Sequence, residues 1–435
     1  MEVSTQLIGR ESLFGRLCTR EALEEGFRQV KKNRGTHGGD EVSITDFADR
    51  LEEELAQLQK DLRSWRYKPA PIRRVLIPKP GSKEKRKLGI PTVRDRVVQT
   101  ALKQLLEPIL DPGFSNSSHG FRPNRGPQTA IERARQLVSS GKDWVVDIDL
   151  AQFFDRVNHD RLIARLSQRI EDKKILRLIG LILRSGIMEE GIVKMSPEGT
   201  PQGSPLSPLL SNLVLDELDK ELERRNLSFC RYADDCNIFV KSKLAAERAM
   251  QNLTKFIESK LKLKVNREKS HVGKSQTVKF LGITIIGKKV CISKVSMGRA
   301  MSKLKELTRR DNRTMEEVIS GFNRWYRGWF NYYRIGQYPG QLRQLEQHFR
   351  RRIRSRVVGQ QKRRRHLARH LIKRGIGSQF AATTAYSNNG RWALSRSKAL
   401  HISYPNKWFT EQGMLSFSDL KLKHWCGINR FVKLT

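Results

Sequence analysis

The sequence predicts an α+β protein in which a mixed first part is followed by a helical, strongly basic second part. Apolar residues recur at helical spacing in the first third, while strand-like and helical stretches alternate in the middle third. After about residue 295 the pattern becomes helical, and its Lys and Arg content rises. These three observations together favour the α+β class.

Local sequence patterns predict the first helices and strands. The stretch "TREALEEGFRQVKK" predicts a helix with Thr19 as its N-cap. "TDFADRLEEELAQLQKDLRSW" also has a helical pattern, with leucines at positions 51, 55, 58 and 62 at helical spacing. Two strands follow, Arg73–Ile77 and Arg86–Ile90, joined by a basic loop that contains glycine.

Charge is the strongest global signal. The 435 residues include 84 Lys and Arg against 45 Asp and Glu, a formal net charge of +39. Such self-repulsion adds nothing to fold stability, so it indicates a polyanionic partner, and nucleic acid is favoured over a membrane surface. The segment 350–374 holds 12 of these cations and no acid, yet keeps partial helical spacing, which predicts folded basic helices.

Several classes of protein are excluded. No apolar stretch is long enough to cross a bilayer, and the N-terminus lacks the pattern of a secretory signal. The 5 cysteines are scattered and never form C-x-x-C, so neither a disulfide framework nor a zinc ribbon is predicted. A cytoplasmic protein without a membrane partner is expected.

Acidic residues in apolar surroundings mark the candidate site. In "DWVVDIDLAQFFDRVNHD", strand alternation places Asp147 and Asp149 on the same face. In "RYADDCNIFV", Asp234 and Asp235 lie at the turn of a predicted hairpin. If the two strands are neighbours, three carboxylates converge. They can stay ionised together only if positive charge compensates them, and hard oxygen ligands suit Mg²⁺.

These stretches resemble the group II intron-encoded reverse transcriptases, or maturases. The resemblance rests on "RRVLIPKP", "KLGIPTVRDRVVQTAL", "SHGFRPNRG", "VDIDLAQFFDRVNHD", "GTPQGSPLSPLLSNLVLDELDKEL", "FCRYADDCNIFV" and "FLGITI", in the family's order. It is to the bacterial, endonuclease-lacking type, since many relatives carry a C-terminal His, Asn and Cys nuclease and only Cys426 lies near the end here. The chain departs from the family at Ser204, where a second Gly is usual.

The resemblance implies roles for particular residues. Asp149, Asp234 and Asp235 would be catalytic and bind two Mg²⁺ ions, or Mn²⁺, with the Leu150 carbonyl as a further ligand. Asp147 and Asp155 are alternatives to Asp149. Spacing favours Asp149, because the family has a bulky residue five positions later, here Phe154.

The nucleotide and nucleic-acid contacts follow from the same resemblance. The incoming nucleotide would be held by Lys79, Arg86, Phe154 and Gln202, with Phe154 excluding a 2′-hydroxyl. Ser207 is expected to cap the helix after the "GTPQGSPLSP" loop, with Pro208 at its first position. Nucleic acid would be bound by exposed arginines at 324, 327, 334, 363 and 364. The aromatic side of "GFNRWYRGWFNYYR" is expected in the core.

The expected architecture is a right-hand polymerase with a helical thumb and a small basic C-terminal module. Residues 1–295 would form the fingers and palm, 296–375 the thumb or maturase domain, and 376–435 a DNA-binding module. The expected partners are an RNA template, with intron RNA favoured, a DNA or RNA primer and deoxynucleotides. Two alternatives stay open: a splicing cofactor that does not need polymerisation, and a domesticated reverse transcriptase in DNA repair or phage defence.

Overall fold

The fold is described here from a computed structural model, which covers residues 12–78, 85–189, 192–194, 199–200 and 203–420. The chain divides into two compact units, 1–274 and 275–435. Both mix helices with strands, as the α+β prediction requires. Within the described residues no helix is both long and apolar enough to span a bilayer.

The first unit contains helices that mostly pack around one apolar core. Helix α2 (Arg20–Asn33) approaches α5 (Val93–Leu110) so closely that a methyl group on Gly26 would lie 2.8 Å from the Val97 carbonyl oxygen. The helices are α1 Leu13–Leu17, α2 Arg20–Asn33, α3 Ile44–Asp49, α4 Leu51–Arg63, α5 Val93–Leu110, α6 Pro127–Ser139, α7 His159–Ser167, α8 Lys173–Leu183, α9 Ser207–Arg224 and α10 Lys243–Phe256.

Two four-stranded sheets complete the first unit. One has the order β2-β1-β4-β5, and the other has the order β6-β7-β3-β8 with every neighbouring pair antiparallel. The strands are β1 Ile72–Pro78, β2 Lys85–Ile90, β3 Trp144–Ile148, β4 Ile187–Glu189, β5 Ile192–Lys194, β6 Ser228–Tyr232, β7 Asp235–Val240 and β8 His271–Lys274.

The predicted first elements are largely confirmed. Thr19 caps α2 by accepting a hydrogen bond from the Ala22 amide. The basic hairpin forms as β1 and β2, in antiparallel register. The helical pattern over 45–65 is confirmed as two helices, α3 and α4, which Arg50 separates with φ −117° and ψ 28°. Ser43 caps the short α3, which buries Phe47.

The second unit begins with the hairpin of β9 Ile283–Ile286 and β10 Lys289–Ile292. Its helices share a separate apolar core. They are α11 Lys294–Leu307, α12 Met315–Tyr333, α13 Pro339–Gln360, α14 Arg364–Lys373, α15 Ser378–Tyr386, α16 Arg391–Leu394, α17 Lys398–Ser403 and α18 Asn406–Glu411. The basic segment 350–374 is therefore helical, as predicted.

Aromatic packing dominates the second core. The Phe322 and Phe349 rings stack at a centroid distance of 3.9 Å, and Phe322 stacks on Tyr326 at 5.0 Å. The Tyr326 hydroxyl donates to the buried Glu346 carboxylate at 2.8 Å. Burial of the Tyr326 hydroxyl raises its pKa far above the ordinary tyrosine range, and the Glu346 charge raises it further. The aromatic side of α12 thus lies in the core, as its spacing predicts.

We expect Phe349→Ala to lower the free energy of unfolding by about 3–5 kcal/mol, because it removes a fully buried ring and leaves a cavity. Phe380→Ala is the matched control, since that ring is 41% exposed. Denaturant unfolding of the two variants measures the difference. A Phe349→Ala loss no larger than that of Phe380→Ala would contradict this account of the core.

Candidate active site

The acidic segments meet in the sheet β6-β7-β3-β8. Strand β3 pairs with β7 so that Ile148 lies opposite Cys236, and β6 pairs with β7 so that Tyr232 lies opposite Asp235. Asp149 follows β3 directly, and Asp234 lies in the turn between β6 and β7. The predicted convergence of two distant segments at one end of neighbouring strands is therefore present.

The pKa of Asp234 depends on its burial and on the charges of Asp149 and two arginines. Burial raises the pKa of Asp234, and the charge of Asp149 raises it further. The guanidinium groups of Arg86 and Arg231 lower the same pKa. Two carboxylates therefore repel each other at a half-buried position, and the basic hairpin brings Arg86 near enough to compensate in part.

The backbone at Asp149 is held by the segment that follows α10. The amide of Asp149 donates to Ser270 Oγ at 3.0 Å, and its carbonyl accepts from the Asn266 amide at 2.8 Å. The Ala151 amide donates to the Lys264 carbonyl at 2.8 Å. Sequence reasoning did not single out Ser270 or Asn266, because nothing in their local pattern marks them as partners of a residue more than a hundred positions away.

Asp235 differs from the other two carboxylates, since it begins β7 in an exposed position. Across the described parts of the chain, no three His, Cys, Asp or Glu side chains lie close enough together to form a ready metal site. The structure therefore brings Asp149 and Asp234 together but does not assemble the predicted triad as a preformed cluster. Their roles in metal binding stay predictions.

The turn after Asp149 places one ring in the core and leaves the next accessible. Phe153 is 2% exposed, whereas Phe154 is half-buried and packs edge-on against it at a centroid distance of 5.3 Å. The Phe154 carbonyl accepts from the Thr200 amide at 2.6 Å, and the Gly199 amide donates to the Val157 carbonyl at 2.8 Å. The segment at 199–200 thus fixes the turn that carries Phe154.

Two histidines near the site have structural contacts. His159 is buried, and its Nε2 lies 2.7 Å from the Gly199 carbonyl oxygen. His119 Nδ1 lies 2.9 Å from Thr129 Oγ1, and burial lowers the pKa of His119 to about 4.

The loop before α9 packs against the basic hairpin. Gly203 has φ +114°, and a methyl group there would lie 2.5 Å from the Gly89 carbonyl oxygen, so only glycine fits. The buried Ser204 hydroxyl donates to Gln99 Oε1 at 2.6 Å, which explains how Ser replaces the second Gly. The predicted N-cap at Ser207 is wrong by one residue, because α9 already begins at Ser207 and Leu206 has helical dihedral angles.

The other predicted contact residues are either exposed or lie outside the described part of the chain. Lys79 and Gln202 lie outside the described residues. Arg86 is exposed on β2. The five arginines predicted to bind nucleic acid are all exposed on the second unit, at positions 324, 327, 334, 363 and 364. No finding tests their roles.

Comparison with known proteins gives two domain matches. Residues 77–285 match the model described as reverse transcriptase (RNA-dependent DNA polymerase), and residues 297–375 match the group II intron maturase-specific domain. Protein YkfC of Escherichia coli (strain K12) is 35% identical over 298 residues, which cover 59% of this chain and 78% of YkfC. The chain belongs to the group II intron reverse transcriptase and maturase family.

This membership confirms the family predicted from the sequence motifs. Residues 77–285 of the chain form an RNA-dependent DNA polymerase domain, and domains of this kind use divalent metal ions. The group II intron-encoded protein LtrA of Lactococcus lactis is 36% identical over 231 residues, 53% of this chain but only 37% of LtrA. A solved partial Cas6-RT-Cas1–Cas2 complex aligns over 57% of this chain and 43% of its own, with 26% identity and a TM-score of 0.37, too low to define the fold.

One glycine in this family member supports the turn that carries Asp234. A methyl group on Gly120 would lie 3.0 Å from the Tyr232 carbonyl carbon and closer still to the Ala233 amide nitrogen. We expect Gly120→Ala to displace the turn and lower primer extension by about 10²-fold, as small misplacements of reacting groups do. Extension rates with a short RNA template measure the effect.

Gly180→Ala is the matched control in the same unit. Gly180 lies in α8 and has open space around the position of a methyl group. Alanine there should retain the wild-type extension rate and slightly stabilise the helix. Equal activity of Gly120→Ala and wild type would show that the turn tolerates a shift at this contact.

Proposed function

We propose that this protein copies RNA into DNA by adding deoxynucleotides to a primer 3′-hydroxyl, and that it binds intron RNA to assist splicing and mobility. The observation that supports this most is the meeting of Asp149 and Asp234 from separate segments, with Arg86 beside them. Arg86 approaches from the exposed hairpin, where an incoming triphosphate has access. Phosphoryl transfer needs this pairing of acidic and basic groups.

The site residues fit divalent cations by their chemistry. Burial and mutual repulsion disfavour two ionised carboxylates, so a cation between them would relieve both penalties. Carboxylate and carbonyl oxygens suit Mg²⁺ and also Mn²⁺. We propose that Asp149, Asp234, Asp235 and the Leu150 carbonyl hold two Mg²⁺ ions. Bound there, such ions stabilise charge on the attacking and leaving oxygens of an in-line displacement.

The chain's own residues would bind and orient the nucleotide. Arg86 supplies a planar guanidinium group for two parallel hydrogen bonds to phosphate. Phe154 is held by the 199–200 segment and is half-buried, so its ring can lie beneath the sugar. Lys79 and Gln202 are assigned to the same nucleotide from the family resemblance alone.

Nucleic-acid binding would rest on the positive surface. The net charge of +39 favours phosphate contacts throughout the chain. On α12 the arginines lie opposite the buried aromatic side, so Arg324 and Arg327 are presented to solvent. Arg334, Arg363 and Arg364 are also exposed, and with Arg324 and Arg327 they make up the proposed binding surface. We assign it to an RNA template with its DNA or RNA primer, and we favour intron RNA as the template.

We further propose that the first unit supplies the fingers and palm of a right-hand polymerase. The four-stranded sheet with the carboxylates would be the palm, and the β1–β2 hairpin part of the fingers. Residues 296–375 would act as the thumb and maturase domain, and 376–435 as a DNA-binding module. The helical content of 296–375 agrees with this assignment.

Asp234→Ala should abolish Mg²⁺-dependent cDNA synthesis, a loss of at least about 10³-fold, because it removes a central ligand for the metal ions. Asp160→Ala is the control, since the Asp160 side chain is 86% exposed and lies in helix α7 rather than in the β6–β7 turn. Extension of a labelled primer on an RNA template, with and without Mg²⁺, measures both variants.

The same assay separates the alternatives. If wild type and Asp234→Ala behave alike while the wild type still promotes splicing, the protein is an RNA-binding splicing cofactor. An active enzyme whose gene lies outside any folded intron RNA would instead be a free-standing reverse transcriptase.

Phe154→Val should increase ribonucleotide incorporation relative to deoxynucleotide incorporation by about tenfold or more, because the smaller side chain leaves room for a 2′-hydroxyl. Phe256→Val is the control, since Phe256 is also half-buried but lies on α10. Single-nucleotide extension with each sugar gives the ratio. Unchanged sugar selectivity would place the gate elsewhere.

A further inference from the structure

A fully buried arginine lies immediately before the turn that carries Asp234. Arg231 and Asp219 are both 0% exposed at their side chains. Arg231 Nε donates to Asp219 Oδ1 at 2.7 Å, and Nη2 donates to Asp219 Oδ2 at 2.6 Å. Burial alone would lower the pKa of Arg231, but the adjacent Asp219 holds it above the ordinary value. The pair is therefore a buried, bidentate ion pair.

All five N–H groups of this guanidinium have partners. Besides the two bonds to Asp219, Nη1 donates to Asn212 Oδ1 at 3.1 Å, and Nη2 donates to Ser118 Oγ at 2.8 Å. The last bond runs from Nη1 to the carbonyl oxygen of Ala233, at 2.9 Å. Since a guanidinium has five donors, none is left to satisfy with water.

The bond to Ala233 reaches the active-site turn itself. Ala233 lies between Tyr232 and Asp234 and has φ +56°. Residues with a side chain seldom adopt this left-handed conformation unless their surroundings hold them in it. A hydrogen bond to the Ala233 carbonyl fixes the peptide that joins this residue to Asp234.

A second segment supports the turn from the other side. The His119 amide donates to the Arg231 carbonyl at 2.9 Å, and the Arg231 amide donates to the Ser117 carbonyl at 2.9 Å. Asn212 Nδ2 donates to the Gly120 carbonyl at 2.8 Å. Gly120 in turn lies directly against Ala233.

We infer that Arg231 is a positioning residue, which orients Asp234 for metal binding by holding the Ala233 carbonyl. This inference rests on the proposed function, because it concerns the same reaction. Asp219 keeps the guanidinium charged and in place, and Asn212 and Ser118 complete its fixed orientation. Because the guanidinium is bonded to α9 and to the 117–120 loop, it holds the Ala233 carbonyl in a fixed position relative to both.

The competing view is that the pair only stabilises the fold. The two views differ in what happens when both partners are replaced by apolar side chains of similar size. Such a replacement often restores the stability of a protein with a buried ion pair. It cannot restore a donor to the Ala233 carbonyl, because neither new side chain has one.

The test is therefore the double variant Arg231→Met/Asp219→Leu. We expect thermal unfolding close to that of the wild type. We also expect the Mg²⁺ concentration for half-maximal primer extension to rise, or kcat to fall, by about 10–100-fold, the usual effect of losing a group that orients a metal ligand. A matched control is Arg169→Met/Asp216→Leu, because Asp216 lies on the same helix as Asp219 and the hydrogen bonds of Arg169 run to Leu110 and Asp216 rather than to Ala233. That control should keep the wild-type Mg²⁺ dependence.

A second variant decides the matter if the double variant does not fold. Arg231→Lys keeps the charge beside Asp219 but cannot reproduce the five-donor fork. We expect it to fold and to show the same rise in the Mg²⁺ requirement. A folded Arg231→Lys or double variant with unchanged kcat and unchanged Mg²⁺ dependence would overturn the inference.

The outcomes also distinguish this inference from the proposed function. A wild type without cDNA synthesis, indistinguishable from Asp234→Ala, would overturn both. An active wild type and an inactive Asp234→Ala, together with Arg231 variants that change only stability, would overturn the positioning role alone.

Discussion

The active-site turn depends on one buried ion pair, between Arg231 and Asp219. Removing one member of such a pair leaves a charge uncompensated in the interior, which costs about 3–5 kcal/mol. Removing either partner here would destabilise three segments at once, because the same guanidinium connects α9, the 117–120 loop and the β6–β7 hairpin. The pair therefore serves the geometry of Asp234 as well as the stability of the core.

A local concentration of acid lies within a protein of strongly positive charge. Burial, together with repulsion from Asp149, raises the pKa of Asp234 despite a net charge of +39. This contrast follows from burial, since distant surface charges are screened by solvent while close, half-buried groups are not. Under the proposed function, the acidic site attracts cations, and the basic residues of the chain attract polyanions. Both are needed by a polymerase domain of this family.

Local signals predicted most of the elements that frame the site. Thr19 was located correctly because an N-cap acts through its own helix, and the β1–β2 hairpin because strands joined by a short loop need no distant partner. The break at Arg50 was missed, because no glycine or proline marks it and it accompanies the burial of Phe47. The helix start at Ser207 was missed by one residue, a difference that side-chain pattern alone does not resolve.

The sequence by itself determined the family and the α+β class and predicted the acidic residues of the site, because these depend on motifs and on periodicities that are local in the chain. Only the tertiary structure decided that β3 and β7 are neighbours, that Asp235 is exposed while Asp234 is half-buried, and that Ser204 binds Gln99. It also revealed Arg231, whose five side-chain hydrogen bonds reach four residues, the farthest of them 113 positions away in the chain. A charged residue in a strand has no local sign of burial, since its compensation is supplied by side chains that only folding brings together.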